Sequence, residues 1–173
     1  SSVNMIPEEK LGIVVLTNGM KAPATAITNY LLDIFLGNTP RDWSAEMLER
    51  ANKNPDEDPR ITEIKTKRVL NTTPSLPLDK YAGTYHSDLT GKIEVIYENN
   101  QLKLRFEHAP DLSATLEHWH FDVWKINWDH THAWFNFGTV KFNLTNNLDI
   151  TGLDFNVPNH DIFFEELRPV RVR

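Results

Sequence analysis

The sequence predicts an α+β chain in which a strand and two helices precede an all-antiparallel β-barrel of about eight strands. A buried-strand pattern followed by two amphipathic helical patterns occupies residues 1–53. Two proline-rich segments then interrupt the chain. From Lys80 onward, short alternating runs recur at intervals of about eight to twelve residues with turn residues between them, which is typical of an all-β fold.

The first segment is predicted to hold one strand and two helices. "LGIVVLTNG" (11–19) is typical of a buried strand that ends in an Asn-Gly turn. Residues 22–37 favour a helix, with Pro23 at its first position and Gly37 as its C-terminal cap. Its apolar stripe at helical spacing is Ile27, Leu31, Ile34 and Phe35. Residues 41–53 favour a shorter amphipathic helix. Because the chain opens inside a strand-like run, we expect a fragment of a longer protein.

The middle of the chain reads as a connection between two domains. "NPDEDPR" (54–60) has two prolines and three acidic residues, which is typical of a linker. Residues 61–70 are ambiguous between helix and strand, and "NTTPSLPL" (71–78) is a second proline-rich connector. We therefore predict an N-terminal domain at 1–53, a linker at 54–78 and a barrel domain at 79–173.

The barrel prediction depends on a series of short alternating runs. They are residues 82–86, 92–98, 101–107, 113–119, 121–128, 133–137, 140–145, 149–157 and 161–167. Asn99-Asn100 and Asn146-Asn147 are expected to form tight turns, because asparagine tolerates a left-handed backbone. About eight or nine such strands should close into a barrel or pack as a sandwich.

Composition excludes several functions. The net charge is −6 and no basic patch dominates, so we expect no nucleic-acid partner. The longest uncharged apolar-rich stretch, Ala22–Leu32, is too short to span a membrane. There is no cysteine, which excludes disulfides and thiolate metal sites.

Two quoted stretches resemble a known family. "VNMIPEEKLGIVVLTNG", with the helix and "LGNTPRDWS" after it, resembles the end of the catalytic domain of serine β-lactamase-like hydrolases, which include penicillin-binding proteins. "LPLDKYAGTYHS", "GKIEVIYENNQLKL" and "LEHWHFDVW" resemble the small lipocalin-like barrel that often follows that domain. Together the two matches cover most of the chain, and "LEHWHFD" is the most specific string.

The resemblance implies a non-catalytic part of a bacterial hydrolase. The family's nucleophile lies in Ser-x-x-Lys, and none of the six serines here has a lysine three residues on. Tyr97-Glu98-Asn99 matches the family's second motif by coincidence, since it falls at a predicted hairpin in the barrel. The third motif, Lys-Thr-Gly or His-x-Gly, is absent. We therefore predict no catalytic residue in this chain and a parent that is a serine hydrolase located in the periplasm or outside the cell.

Residues 117–132 carry the candidate site, with two His-x-His pairs. Alternate strand residues share a face, so His118 and His120 could offer two imidazoles to one ion. The second pair cannot join them if 118–128 is one strand, because ten residues then separate His120 from His130 by about 33 Å. With no third ligand evident, we predict no metal and no cofactor, and a two-histidine site completed from another strand remains an alternative.

The direction of these side chains follows from the apolar pattern. The apolar face switches between Val123 and Trp124, which predicts a β-bulge or a bend. Trp119, Phe121 and Val123 should then point inward, and His118, His120 and Asp122 should point outward. The plain interpretation is a solvated polar rim. The functional one is a rim that contacts a ligand or the catalytic domain, with these candidates: His118, Trp119, His120, Asp122 and Trp124.

The sequence is compatible with more than one kind of partner. Four tryptophans lie within residues 119–134, and such dense aromatics either fill a barrel or line a cavity for a small apolar ligand. The accessory-domain hypothesis implies that the barrel shapes active-site access or assembly of the parent. The alternative is a small-ligand carrier. Because residues 11–17 would leave a strand edge unpaired, we expect the first segment to pair with a second copy of the chain or to dock on its own barrel. The parent catalytic domain is the other expected partner.

Overall fold

The computed structural model describes residues 1–18, 23–53, 58–132 and 134–172, which fall into two compact units, Ser1–Asp56 and Glu57–Arg173. The strands are β1 (Ser2–Ile6), β2 (Leu11–Val15), β3 (Gly83–Ser87), β4 (Gly91–Glu98), β5 (Gln101–Phe106), β6 (Ala109–His120), β7 (Val123–Trp128), β8 (Thr139–Leu144), β9 (Ile150–Asn156) and β10 (Val170–Arg171). The helices are α1 (Pro23–Phe35), α2 (Trp43–Lys53), α3 (Pro59–Thr66) and α4 (Leu78–Tyr81). Among the described residues, no helix is both long and apolar enough to cross a membrane.

The first unit begins with a hairpin of β1 and β2. The strands pair antiparallel from Ser2↔Val15 to Ile6↔Leu11, and a single 3-10 turn at Pro7–Glu9 joins them. The sequence pattern predicts β2 but not β1. One edge of β2 is therefore paired within the chain, which corrects the expectation that this strand lacks neighbours.

Helix α1 packs on the hairpin through small side chains. It begins at Pro23, and Gly37 (φ 71°) follows its end, as the sequence predicts. The buried positions include Ala24 and Thr28, and the hydroxyl of Thr28 is hydrogen-bonded to that of Ser2 at 2.8 Å. Ile27, Ile34 and Phe35 of the predicted stripe are instead exposed in this unit, while Leu31 is partly buried. Gly19 and Ala22, at the ends of the predicted strand and helix, lie outside the described residues.

The second unit is a closed antiparallel barrel. Its strands follow the order β10-β3-β4-β5-β6-β7-β8-β9, which confirms the predicted eight-stranded, α+β fold class. Asn99 and Asn100 both have positive φ and join β4 to β5, as expected for a tight asparagine turn. In the turn at Asn146-Asn147, the positive φ falls on Leu148.

Two predicted strands are not strands. Residues 161–167 include only a 3-10 turn at Phe164–Glu166, because the Asn159 side chain accepts from the backbone N–H groups of Asp161 and Ile162 at 2.9 and 2.6 Å. A side chain thus satisfies backbone groups that a strand ladder would use. Residues 134–137 form no strand, and Ala133 lies outside the described residues. The barrel is closed instead by β10, which the sequence did not indicate.

The interior of the barrel is filled by side chains from its strands and from the loops at its ends. Tyr81 packs edge-on against Trp124 and Phe142, with ring centroids 5.4 and 4.9 Å apart. Buried aliphatic residues complete the cluster: Ile93, Val95, Leu102, Leu104, Leu116, Ile126, Val140 and Leu153.

The stretch 118–128 is a hairpin and not one continuous strand. β6 ends at His120, β7 begins at Val123, and Phe121 has a φ of 45° in the two-residue turn between them. The pairing of β6 with β7 shifts register between His118 and His120, so a bulge occurs near where the apolar pattern switches. The predicted separation of about 33 Å between the two histidine pairs was therefore based on a wrong assumption.

Candidate functional site

The five candidate residues all lie at or next to the turn between β6 and β7. We call residues 118–123 the hairpin tip, and residues 58–78, which precede the barrel, the connector. The connector holds α3 and then runs along the tip to α4. The contacts between these two segments determine where each candidate side chain points.

Trp119 and Trp124 lie on opposite sides of the barrel wall. Trp124 is in the interior cluster, and the ring of His118 packs edge-on against it at 5.3 Å. Trp119 is buried in a separate cluster with Ile61 of α3 and with Phe137. The inward direction predicted for Trp119 is therefore wrong, because a helix of the connector covers that ring. Phe121, also predicted inward, is 53% exposed in the turn.

Arg68 of the connector also packs on Trp119. Its guanidinium carbon lies 4.1 Å from the centroid of the indole ring, and its Nε donates to the Trp119 carbonyl at 3.0 Å. A planar guanidinium suits both contacts at once, since it can stack on an aromatic face while it donates in its own plane. Arg68 is therefore half-buried against the tip, although arginine is usually a solvated residue.

Asp122 accepts more side-chain hydrogen bonds than any other residue of the tip. Its carboxylate accepts from the backbone N–H of Ser75 at 3.0 Å and from the Ser75 hydroxyl at 2.7 Å. It also accepts a short hydrogen bond from the hydroxyl of Tyr81. The Tyr81 hydroxyl in turn accepts from the N–H of Leu76 at 3.2 Å. The connector is thus bound to the tip by a charged acceptor.

This network shifts the pKa of the Tyr81 phenol and the pKa of the Asp122 carboxyl. Burial, and then the bond to Asp122, raises the pKa of Tyr81 well above its usual range, so the phenol stays neutral. Burial also raises the pKa of Asp122, but the bonds from Tyr81 and Ser75 and the charge of His118 outweigh it. The net result is a pKa below the usual 3.8, so Asp122 is ionised at neutral pH.

The two histidines of the first pair bond to different segments. The Nδ1 atom of His120 accepts from the backbone N–H of Val69 at 3.0 Å. His118 donates from Nε2 to the carbonyl of Phe121 at 2.9 Å. Burial, with the charges of Arg68 and His118, lowers the pKa of His120 below 6.5. One ring nitrogen of each histidine is therefore used within the chain.

The second histidine pair forms no common site with the first. Residues 129–132 follow the end of β7 and lie outside the strands. His130 is exposed, whereas the ring of His132 stacks on Phe135 at 4.7 Å and meets Trp128 edge-on at 5.6 Å. Within the described ranges, no three His, Asp or Glu side chains are grouped so that they could hold a metal ion.

Several residues of this site were missed in the sequence. Arg68, Thr72 and Ser75 bind the tip from the connector, and Tyr81 binds it from α4. The Thr72 hydroxyl accepts from the N–H of Phe121 at 2.9 Å. Their partners are about 40 to 50 positions away in sequence, so no local spacing points to them. The one usable signal is the polar content of "NTTPSLPL", whose hydroxyl groups need partners when the segment packs.

Comparison with known proteins places the chain in a family. The model described as "Domain of unknown function (DUF3471)" matches residues 67–170, which is more than half of the chain. The chain belongs to this family, a C-terminal domain associated with β-lactamases, which confirms the resemblance seen in the sequence. The match begins at Lys67, so the family unit includes the part of the connector that binds the tip.

A solved structure is also similar to part of this chain. It is the crystal structure of the C-terminal domain of a penicillin binding protein, Rv0907, with 22% sequence identity and a TM-score of 0.46. The similarity covers 61% of this chain and 94% of that domain. A search of curated proteins found no match.

Proposed function

We propose that this chain is the C-terminal part of a bacterial serine β-lactamase-like hydrolase, with a lipocalin-like barrel that shapes access to the active site or mediates assembly. Membership of a β-lactamase-associated C-terminal domain family is the observation that carries this proposal. On this view the chain itself supplies no nucleophile, and chromogenic β-lactam or ester substrates turn over no faster with it than in buffer. A measured rate that is lost on replacing one of its serines by alanine would contradict this.

The candidate residues act, on this proposal, by holding the connector on the barrel. Arg68, His120 and Asp122 each join the two segments. A connector bound at several points fixes the place where the barrel unit leaves the preceding chain. The exposed Phe121 at the turn is then the part of the tip that is presented to a neighbouring domain or ligand.

We propose further that residues 1–53 belong to the hydrolase domain, with 54–78 between them and the barrel at 79–173. The supporting observation is the apolar face of the hairpin, where Met5, Val14 and Leu16 are 75%, 62% and 78% exposed. Exposed apolar side chains grouped on a strand pair mark a surface that another element covers. The occupant is the parent catalytic domain or a second copy of the chain, and light scattering at several concentrations distinguishes them. The parent's location is periplasmic or extracellular.

The small-ligand carrier is the weaker candidate. A carrier needs space inside the barrel, whereas the interior here holds the packed rings of Tyr81, Trp124 and Phe142. No contact of the described residues specifically favours a bound apolar ligand.

The test uses the full-length hydrolase that contains this chain and a variant that ends at residue 57. If the barrel shapes access, kcat/KM for a bulky substrate changes while that for a small ester is nearly unaffected. If the barrel mediates assembly, light scattering shows a changed mass. A truncated enzyme that is unchanged in both respects would contradict the proposal.

A further inference from the structure

The hydrogen bond between Val69 and His120 can exist in only one protonation state of the histidine. The N–H of Val69 donates to Nδ1 of His120 at 3.0 Å, so this nitrogen carries no proton. A protonated imidazole has N–H groups at both nitrogens and no acceptor. Protonation of His120 would therefore set two N–H groups against each other.

The charged groups around His120 disfavour its protonated form. Arg68 is next to Val69 and bonds to the Trp119 carbonyl, and its charge opposes a second positive charge on His120. His118, on the same strand, acts in the same direction. Asp122, which could offset them, is bonded to Ser75 and Tyr81 and has a pKa lowered in part by His118. The charged groups that face His120 thus favour its neutral form.

The second anchor of the connector is insensitive to the same change in pH. Asp122 holds Ser75 as an ionised acceptor, with a pKa below 3.8. This anchor is present above that value and is lost only as the pH falls through the pKa of the folded state. The bond to His120 contributes its full stability above about 6.5, and this contribution is lost as the pH falls through the folded pKa of His120, which lies below 6.5. The bonds to His120 and to Asp122 therefore break in separate pH ranges.

We propose that residues 68–72 form a pH-sensitive flap. Arg68 and Thr72 also hold this segment on the hairpin tip, so protonation of His120 makes the flap open more often, while Asp122 keeps Ser75 in place. The flap carries Arg68, whose guanidinium covers the ring of Trp119. Opening uncovers an aromatic surface that is 8% exposed in the closed state. Mild acid thus changes the surface beside the connector without unfolding the barrel.

The test is amide hydrogen exchange of the full 173-residue chain at about pH 7.5 and about pH 5, expressed as protection relative to an unstructured peptide at the same pH. Loss of one hydrogen bond corresponds to roughly a fivefold change in equilibrium, so protection of the Val69 amide should fall by about fivefold or more at the lower pH. Protection of the Ser75 amide should stay constant. A Val69 protection that does not change would overturn the proposal.

Matched variants separate this histidine from its neighbour. In His120→Asn the amide oxygen lies near the position of Nδ1 and accepts at every pH, so the Val69 response should disappear. In His118→Gln a donor remains near the position of Nε2, so the response should persist. A response that survives His120→Asn, or that vanishes in His118→Gln alone, would contradict the mechanism.

A measurement on the unmodified chain covers the case in which a variant fails to fold. The ring protons of His120 and the amide of Val69 are followed by NMR through the same titration. Both should titrate with one midpoint, below 6.5. A Val69 amide that is indifferent to the titration of His120 would rule out the flap.

Discussion

Replacing Tyr81 by phenylalanine should destabilise the barrel more than any other loss of a single hydroxyl group at this site. The ring is fully buried against Trp124 and Phe142, and phenylalanine keeps those contacts. Only the hydroxyl is lost, which donates to the carboxylate of Asp122 and accepts from the N–H of Leu76. A hydrogen bond to a charged group contributes about 1.5–3 kcal/mol to stability. We expect Tyr81→Phe to lower the free energy of unfolding by about 2 kcal/mol.

The assay is urea unfolding followed by tryptophan fluorescence. Four of the five tryptophans are in the second unit, so the signal reports mainly on the barrel. With a urea m-value of about 2 kcal/mol per molar, the midpoint should fall by about 1 M with the slope unchanged.

Tyr85→Phe is the matched control. The hydroxyl of Tyr85 donates at 3.1 Å to a neutral acceptor, the carbonyl of Tyr81, and burial raises its pKa to about 12. Its loss should cost about 1 kcal/mol or less. A Tyr81→Phe variant no less stable than Tyr85→Phe would refute the charged anchor.

The effect of Tyr81→Phe should also depend on pH in a defined direction. Because the pKa of Asp122 is lowered in the folded protein, its contribution is present above 3.8 and is lost as the pH falls through the folded value. The stability difference between the wild type and Tyr81→Phe should therefore shrink in acid. A difference that grows below 3.8 would contradict the assignment.

Three further predictions follow from particular contacts. Arg68→Lys loses the planar stack on Trp119 and should lower the free energy of unfolding in urea by about 1 kcal/mol. Arg105→Lys, on the exposed face of β5, should leave stability unchanged, and equal effects of the two substitutions would argue against the stack. Gly152→Ala places a Cβ 2.6 Å from the Pro169 carbonyl oxygen and should lower the free energy of unfolding by about 1–3 kcal/mol. Gly12→Ala is the control, because its Cβ meets no atom within 4 Å. A Gly152→Ala variant as stable as the wild type would show that β10 can shift freely. Elemental analysis after dialysis against a chelator should find no stoichiometric metal, and a bound ion or a large drop in melting temperature on dialysis would revive the two-histidine site.

The sequence predicts the barrel well because its signal is local. Alternation along β4 and β5 places Ile93, Val95, Leu102 and Leu104 in the core without knowledge of any distant partner. The turn at Phe121-Asp122 was missed because Phe121 is not a usual turn former and continues the apolar alternation, although Asp122 is a common turn residue. β10 was missed because two residues are too few to show a period.

The roles of the candidate residues, in contrast, could not be predicted from local sequence. The string "EHWHFD" identified the right part of the molecule, but the role of its residues depends on Val69, Ser75 and Tyr81, which are about 40 to 50 positions earlier in the chain. A His-x-His pattern has the same spacing whether its nitrogens bind a metal or a backbone amide. Spacing alone could not distinguish residues that bind a ligand from residues that bind the connector. That difference depends on which distant segment of the chain packs against them.

The most direct test of this account measures hydrogen exchange of the Ser75 amide in the full chain at neutral pH. This N–H donates to the carboxylate of Asp122 at 3.0 Å, within the barrel unit. We expect the Ser75 amide to be protected on the order of 100-fold over an unstructured peptide, and Asp122→Ala to remove this protection while Leu104 in β5 stays protected. Exchange of Ser75 at the rate of an unstructured peptide in the wild type would show that the connector is not held by the hairpin tip.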